Sequence, residues 1–183
     1  QMPLGASANT MWVLGKPVDE ARNSIVQNAL DVGAKYIMFI GDDTAPPPDA
    51  FIKLWRHEKP IVTGLYTSRS APVQPMIWRG WQEGSYWQFH IGEFFECSWS
   101  GMDLVLLETD IFRKIPPPWF SIHYDSMTDD GIARPIALPT EDIYACLRFR
   151  EYGYKIWCDS SIVGTHIDRN TQIEYTIPPD WPH

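Results

Sequence analysis

The feature that most constrains the fold is a short apolar run that ends in two acidic residues. Residues Tyr36–Ile40 are all apolar, and Asp42 and Asp43 follow after a single glycine, just ahead of three consecutive prolines. This run predicts a buried strand, which we expect to be parallel to its neighbours. A helix is predicted before it, over Asp19–Gly33, because apolar residues recur there at helical spacing. A helix that leads into a buried strand is typical of an α/β sheet.

The rest of the chain continues this alternation. Further strands are predicted over Pro60–Tyr66, Met102–Leu107 and Tyr154–Cys158, and further helices over residues 49–57, 108–115 and 140–153. Residues 67–100, which are rich in aromatic side chains, predict an antiparallel excursion, and residues 125–139 predict a flexible loop. We therefore expect one α/β domain over residues 1–168, followed by an extended tail over residues 169–183.

Composition and charge exclude several classes of function. Fifteen Lys and Arg against 23 Asp and Glu give a net charge of −8, which argues against binding to nucleic acid or to an anionic membrane surface. No apolar run approaches the roughly 20 residues that span a bilayer. The three cysteines form no C-x-x-C pair, which favours a reducing compartment. We expect a cytoplasmic protein, with peripheral membrane attachment or a viral origin left open.

The first candidate for chemistry is the pair Asp42 and Asp43. Ligands of open α/β sheets bind beyond the carboxyl ends of the strands, where this pair is predicted to lie. Adjacent carboxylates suit a hard divalent cation that also holds phosphate oxygens. The alternative is a plain turn, because Gly-Asp-Asp-Thr before prolines has good turn chemistry.

Three further features are open to both a functional and a structural interpretation. Glu141 and Asp142 fall in the first turn of a predicted helix, where the helix dipole favours their charged forms and suits a base, or where they simply complement the dipole. His166 follows a predicted strand and is either a metal ligand or a structural histidine. Nine tryptophans offer faces for stacking on sugars, although most are expected to pack the core.

Taken in chain order, these motifs resemble the family-2-like glycosyltransferases of the GT-A fold. The resemblance runs from about residue 18 to residue 168, and the matching segments are Ala21-Arg22-Asn23, Tyr36–Asp43, Ile61–Tyr66, Gly101–Phe112 with Pro118–Phe120, Glu141-Asp142, Gly153–Trp157 and His166. It implies a GT-A-like mixed sheet flanked by helices. The N-terminal part would be shortened, because the family's first strands and helix have no counterpart before Ala21.

The resemblance also implies a metal and a nucleotide site. Asp43 and His166 would bind Mn²⁺ or Mg²⁺, and Asp42 would contact the ribose or the metal and its water shell. Arg22 would lie near the nucleotide or its diphosphate. The donor would be a UDP- or GDP-type nucleotide-diphosphate sugar.

Roles in the reaction follow from the same resemblance. Asp142, with Glu141 as second choice, would be the general base that deprotonates a glycan or other hydroxyl acceptor, which implies inversion. If the carboxylate only positions the acceptor, a retaining reaction stays open. Trp99, Gly101 and Trp119 would help to line the substrate site.

The sequence departs from the family at two places. Many members have Asp where Gly41 stands, although the pair after it still supplies the final carboxylate. The strands that hold the nucleotide base have no counterpart, which leaves open a non-catalytic carbohydrate-binding or assembly module on a degenerate glycosyltransferase fold. A nucleotidyltransferase shares the acidic chemistry but fits the Glu141-Asp142 helix and His166 less well.

Overall fold

The computed structural model describes residues 5–80, 83–127, 133–137, 140–178 and 181, and it gives side-chain surroundings outside residues 124–139. The helices are α1 (Val18–Asp31), α2 (Ala50–Arg56), α3 (Asp110–Lys114) and α4 (Glu141–Glu151). The strands are β1 (Tyr36–Ile40), β2 (Thr44–Ala45), β3 (Ile61–Leu65), β4 (Ile77–Trp78), β5 (Phe94–Cys97), β6 (Trp99–Ser100), β7 (Leu104–Glu108), β8 (His123–Met127), β9 (Ala133–Ala137), β10 (Ile156–Val163), β11 (Thr165–Ile167) and β12 (Glu174–Tyr175).

A five-stranded mixed sheet in the order β1-β7-β3-β10-β5 forms the centre of the fold. Strands β3 and β10 are parallel, and the other three neighbouring pairs are antiparallel. The predicted α/β class is therefore confirmed at the level of a mixed sheet with helices. The predicted parallel direction of β1 was wrong, because β1 lies at the end of the sheet and runs antiparallel to β7. Although its residues are all apolar, β1 is fully buried only at Ile37 and Phe39, and Ile40 is 48 % exposed, so this strand is not enclosed on both faces as parallel strands usually are.

Helices cover both faces of this sheet. On one face, Val26 of α1 packs in the same cluster as Phe39 of β1, together with buried residues of α3 and α4. On the other face, Leu54 of α2 packs with Val62 and Leu106. Strand β7 is buried on both sides, because its successive residues alternate between the two clusters. The helix α1 ends before Gly33, whose φ of +69° is a conformation that glycine adopts without strain.

Smaller sheets surround the centre. Strands β12, β11 and β2 form a three-stranded sheet, and β4 pairs with β6 within the predicted excursion of residues 67–100. Within the predicted flexible loop at 125–139, strands β8 and β9 pair in antiparallel fashion. Residues 128–132 and 138–139 of that loop lie outside the described residues. The predicted tail, residues 169–183, contributes β12 and two buried side chains, Ile177 and Trp181.

The strand directions gather the candidate residues at one edge of the sheet. The carboxyl end of β1 lies beside the start of β7, because the two strands are antiparallel. The end of β3 reaches the same place, since β3 is antiparallel to β7. The three cysteines are buried and free, and none of the described helices is both long and apolar enough to cross a bilayer.

Candidate metal centre

Three side chains that could ligate a metal meet at this edge. One oxygen each of Asp43 and Asp103 and a ring nitrogen of His166 all lie within 4.8 Å of one another. Asp43 follows the end of β1, Asp103 precedes β7, and His166 lies on β11. The distance from Asp43 Oδ1 to His166 Nε2 is 3.1 Å. The arrangement offers two carboxylates and one imidazole to a shared cation. Asp43 and His166 are two of the three residues that the resemblance implied as metal contacts, the third being Asp42.

The ring of His166 is oriented by a backbone carbonyl. Its Nδ1 lies 2.8 Å from the carbonyl oxygen of Thr67, and because a carbonyl only accepts, Nδ1 carries a proton. In the neutral ring, Nε2 then holds a lone pair that faces the carboxylates. Although His166 is only 7 % exposed, Nε2 has no hydrogen-bond partner among the described residues. The Asp43 oxygen is within ion-pair distance but outside hydrogen-bond geometry.

A buried lone pair beside two carboxylates is costly unless a positive charge lies between them. The hydroxyls of Thr44 and Thr67 are also buried without hydrogen-bond partners among the described residues. Thr44 pairs with His166 across the small sheet, and Thr67 supplies the carbonyl that orients its ring. Buried polar atoms without hydrogen-bond partners fit a site in which a bound cation and its water molecules would supply the missing partners.

Asp103 is the candidate ligand that sequence reasoning missed. A Cβ at Gly41 would lie 2.8 Å from both Cβ and Cγ of Asp103, so only glycine at this position leaves room for the carboxylate. On the other side, the backbone N–H of Asp103 donates to the hydroxyl of Tyr66 at 3.3 Å. A glycine next to the acidic pair and an acid at the head of a predicted strand were the available signals, but the strand pairing was needed to join them.

Burial raises the pKa of the Asp103 carboxyl. The guanidinium of Arg22 opposes this rise, whereas the neighbouring charge of Asp43 raises the pKa of Asp103 further. Two carboxylates that disfavour each other's ionisation are a place where a divalent cation stabilises the charged forms of both.

Arg22 bridges the cluster to helix α4. Its Nη2 lies 2.8 Å from Asp103 Oδ1, its Nη1 bonds Glu141 Oε1, and its side chain is only 11 % exposed. The guanidinium that was expected near a diphosphate is thus engaged by two carboxylates. Burial raises the pKa of Glu141, and the positive charge of Arg22 opposes this rise.

Asp142 is buried at the start of α4. The Thr140 hydroxyl and the backbone N–H of Ile143 both bond to its Oδ1. Thr140 is the N-cap residue as predicted, although its side chain bonds Asp142 instead of a helix amide. The charge of Asp142 raises the pKa of both Asp103 and Glu141, which places all three acids in one electrostatic group.

Two arginines cover the outer side of the cluster. Arg69 Nη1 lies 2.6 Å from Asp43 Oδ2. Arg169 Nη2 lies 2.7 Å from Asp42 Oδ2, and both of these side chains are more than half exposed. Asp42, predicted as a second metal or ribose contact, is therefore at the rim, outside the group of three potential ligands.

Trp99, Gly101 and Trp119, which were predicted to line the substrate site, are packed in the interior of the protein. Trp119 is 5 % exposed, and its indole N–H donates to the Ile115 carbonyl at 2.7 Å. Trp99 is equally buried, and the guanidinium of Arg150 lies 5.1 Å from its ring centroid. A Cβ at Gly101 would meet the Tyr66 hydroxyl at 1.8 Å, so this glycine lets Tyr66 support Asp103. Neither indole leaves a broad exposed face for stacking on a sugar.

Asn23 holds Arg22 in place, a role that sequence reasoning did not assign. Its Oδ1 accepts from the backbone N–H of Trp119 and of Phe120, at 2.9 and 3.1 Å. Its Nδ2 donates to the carbonyls of Asp19 and Phe120. Asn23 therefore fixes α1 on the segment after α3, which places the neighbouring Arg22 between Asp103 and Glu141.

Comparisons with known proteins extend the description of the fold. Neither a scan against protein-family models nor a search of curated proteins found a match. Among solved structures, the chain is similar to the crystal structure of A197 from STIV, with a TM-score of 0.62 and 14 % sequence identity over 92 % of this chain and 80 % of that chain. At this identity, the similarity shows a shared mixed α/β fold.

Proposed function

We propose that this chain is a metal-dependent glycosyltransferase that moves a sugar from a nucleotide-diphosphate sugar of UDP or GDP type to a hydroxyl acceptor. The observation that carries the proposal is the buried Nε2 of His166, which has no hydrogen-bond partner among the described residues and lies beside Asp43 and Asp103. The order of motifs along the chain, which resembles the GT-A glycosyltransferases, gives the reaction class.

The cation would be held by Asp43, Asp103 and His166. Two carboxylates and one imidazole suit Mn²⁺ better than Mg²⁺, because Mg²⁺ strongly prefers oxygen ligands. When bound, the cation supplies positive charge that stabilises a diphosphate leaving group. A cation held by Asp103 would lie within electrostatic reach of Asp142 and Glu141 on α4, because the carboxyl groups of these acids already interact with that of Asp103.

Asp142 is the proposed general base. Among the described residues, both hydrogen bonds of Asp142 go to Oδ1, which fixes the carboxylate, and Oδ2 would take the proton of an acceptor hydroxyl. Glu141 is bound by Arg22, which suits a positioning role better than that of a base. A base that activates the acceptor for in-line attack at the anomeric carbon gives inversion of configuration.

A donor screen tests the proposal. Nucleoside-diphosphate release is measured from UDP- and GDP-sugars with Mn²⁺ at saturation, for the wild type, Asp142→Asn and Asp110→Asn. We expect Mn²⁺-dependent release that falls by about 10²–10⁴-fold in Asp142→Asn, the range for a general base. Asp110 is 76 % exposed on α3 and serves as the control.

Two results would contradict the proposal. The first is absence of release with every donor while the protein binds Mn²⁺. The second is glycan binding that needs neither metal nor donor, which would identify a carbohydrate-binding module.

A further inference from the structure

We propose that Arg69 is a built-in counter-ion of the cation site, which leaves Asp43 when the cation binds and then pairs with a phosphate group of the metal-bound ligand. Cation and phosphate would therefore bind cooperatively, with Arg69 as the coupling residue. The inference rests on the proposed function only for the cation site, and it names phosphate as the chemistry recognised beside that site.

The two carboxylate oxygens of Asp43 have different partners, one in the interior of the protein and the other Arg69. Oδ1 lies 3.1 Å from His166 Nε2, and Oδ2 lies 2.6 Å from Arg69 Nη1. The Asp43 side chain is only 12 % exposed, whereas that of Arg69 is 47 % exposed. Arg69 thus approaches the carboxylate from the solvent side and neutralises a charge that a cation would otherwise neutralise.

Arg69 is carried by a loop that is braced by its own hydrogen bonds. Thr67 forms a bridge with Pro75, and the backbone N–H of Ser68 donates to the Gln74 carbonyl at 2.8 Å. The N–H of Gln74 donates in return to the Ser68 hydroxyl at 3.0 Å. The backbone can therefore stay in place while the long side chain of Arg69 changes its partner.

The exchange of partners follows from charge. A divalent cation on Asp43 removes the attraction that holds the guanidinium and repels it at short range. A guanidinium released at the rim presents planar paired donors, which match the geometry of phosphate oxygens. If the cation frees Arg69 for phosphate, phosphate must strengthen cation binding by the same factor.

The first half of the test measures the cation alone. Mn²⁺ is titrated into the wild type, Arg69→Ala, Arg69→Lys and Arg113→Ala, and free Mn²⁺ is followed by electron paramagnetic resonance. Removal of the competing ion pair should tighten Mn²⁺ binding in Arg69→Ala by about two- to fivefold, the range for an exposed ion pair. Arg113, which pairs with Asp110 on α3, is the matched control and should match the wild type.

The second half measures phosphate binding beside the cation. Pyrophosphate is titrated calorimetrically into the same proteins at saturating Mg²⁺, with Mg²⁺ in excess over pyrophosphate. Arg69→Ala should bind pyrophosphate about tenfold more weakly than the wild type, as expected for loss of a charge-assisted hydrogen bond. Arg69→Lys should recover part of this affinity.

The outcomes separate this inference from the proposed function. If the wild type binds Mn²⁺ while Arg69→Ala leaves Mn²⁺ and pyrophosphate affinity unchanged, or weakens Mn²⁺ binding, the role of Arg69 is overturned and the cation site stands. If both shifts occur without turnover of any nucleotide sugar, Arg69 keeps its role and the transferase reaction is overturned.

Discussion

At the scale of single residues, the missing side chain of Gly41 makes room for a ligand from another strand. The Cβ that residue 41 lacks would stand 2.8 Å from Asp103 Cβ. A side chain on residue 41 would therefore compete with the side chain of Asp103 for the same space. The acidic side of the site is built from two strands, with Asp43 after β1 and Asp103 before β7.

This geometry predicts that the carboxylate can be moved between the strands. Asp103→Gly should weaken Mn²⁺ binding by at least about tenfold, and Gly41→Asp with Asp103→Gly should restore most of it. Calorimetric titration with Mn²⁺ checks the series, with Asp110→Gly as control, and melting temperatures confirm folding. A single Asp103→Gly variant with wild-type Mn²⁺ affinity would show that Asp103 is no ligand.

The part of the candidate site that could be predicted from the sequence is the acid that directly follows a predicted strand, together with a histidine late in the chain. Asp43 and His166 were named as ligands, and their side chains lie 3.1 Å apart. Asp103 could not be named with them, because its approach depends on the pairing of β1 with β7. The engagement of Arg22 by two acids likewise depends on contacts between residues far apart in the chain.

At the scale of elements, helix α2 is attached to the sheet by a hydrogen bond between two side chains that are far apart in sequence. His57, which follows the last residue of α2, places Nε2 2.6 Å from Asp159 Oδ2 of β10. Its ring also stacks on Phe94 of β5, with centroids 3.8 Å apart. Burial alone would raise the pKa of Asp159, but hydrogen bonds from Ser161 and His57 lower it below the ordinary value.

The lowered pKa gives a stability effect with a definite sign. An acid whose pKa is lower in the folded state stabilises the protein above the unfolded-state pKa of about 3.9, and this stability is lost as pH falls through the folded-state pKa. Asp159→Asn should lower the free energy of unfolding at pH 7 by about 1–3 kcal/mol. It should also flatten the decline in stability below about pH 4.

Urea unfolding of the wild type and Asp159→Asn between neutral and acid pH measures both effects. Asp110→Asn on α3 provides an exposed control. Parallel pH profiles for the wild type and Asp159→Asn would contradict this role of Asp159.

The elements themselves were predictable where they were long. Helices α1 and α4 and strands β1 and β7 follow patterns of five or more residues, which report which face is buried. Strands β2, β11 and β12 have two or three residues, too few for any period. The predicted direction of β1 was wrong because the direction of a strand relative to its neighbour depends on which strand it pairs with. The local sequence pattern does not specify that partner.

At the scale of the whole molecule, the last described residues close the core. Trp181 is 3 % exposed and stacks on Trp87 with ring centroids 4.6 Å apart. It also contacts Phe89, whose ring lies 5.7 Å away. The segment after His166 therefore packs against the antiparallel excursion of residues 67–100. At this place two of the nine tryptophans pack against each other in the core.

Removal of this indole should destabilise the molecule as a whole. We expect Trp181→Ala to lower the free energy of unfolding by about 3–5 kcal/mol, the usual cost for a buried tryptophan. Trp181→Phe should cost less, because it keeps a ring against Trp87. Chemical denaturation measures both variants, and an unfolding midpoint of Trp181→Ala equal to that of the wild type would exclude this role.

The central claim is that Asp43, Asp103 and His166 share one divalent cation. Crystals grown with Mn²⁺, with data recorded at the manganese absorption edge, test it most directly. We predict one anomalous peak in coordination contact with His166 Nε2 and with an oxygen of each aspartate. A strong peak elsewhere, or no peak at this edge of the sheet at saturating Mn²⁺, would contradict the claim.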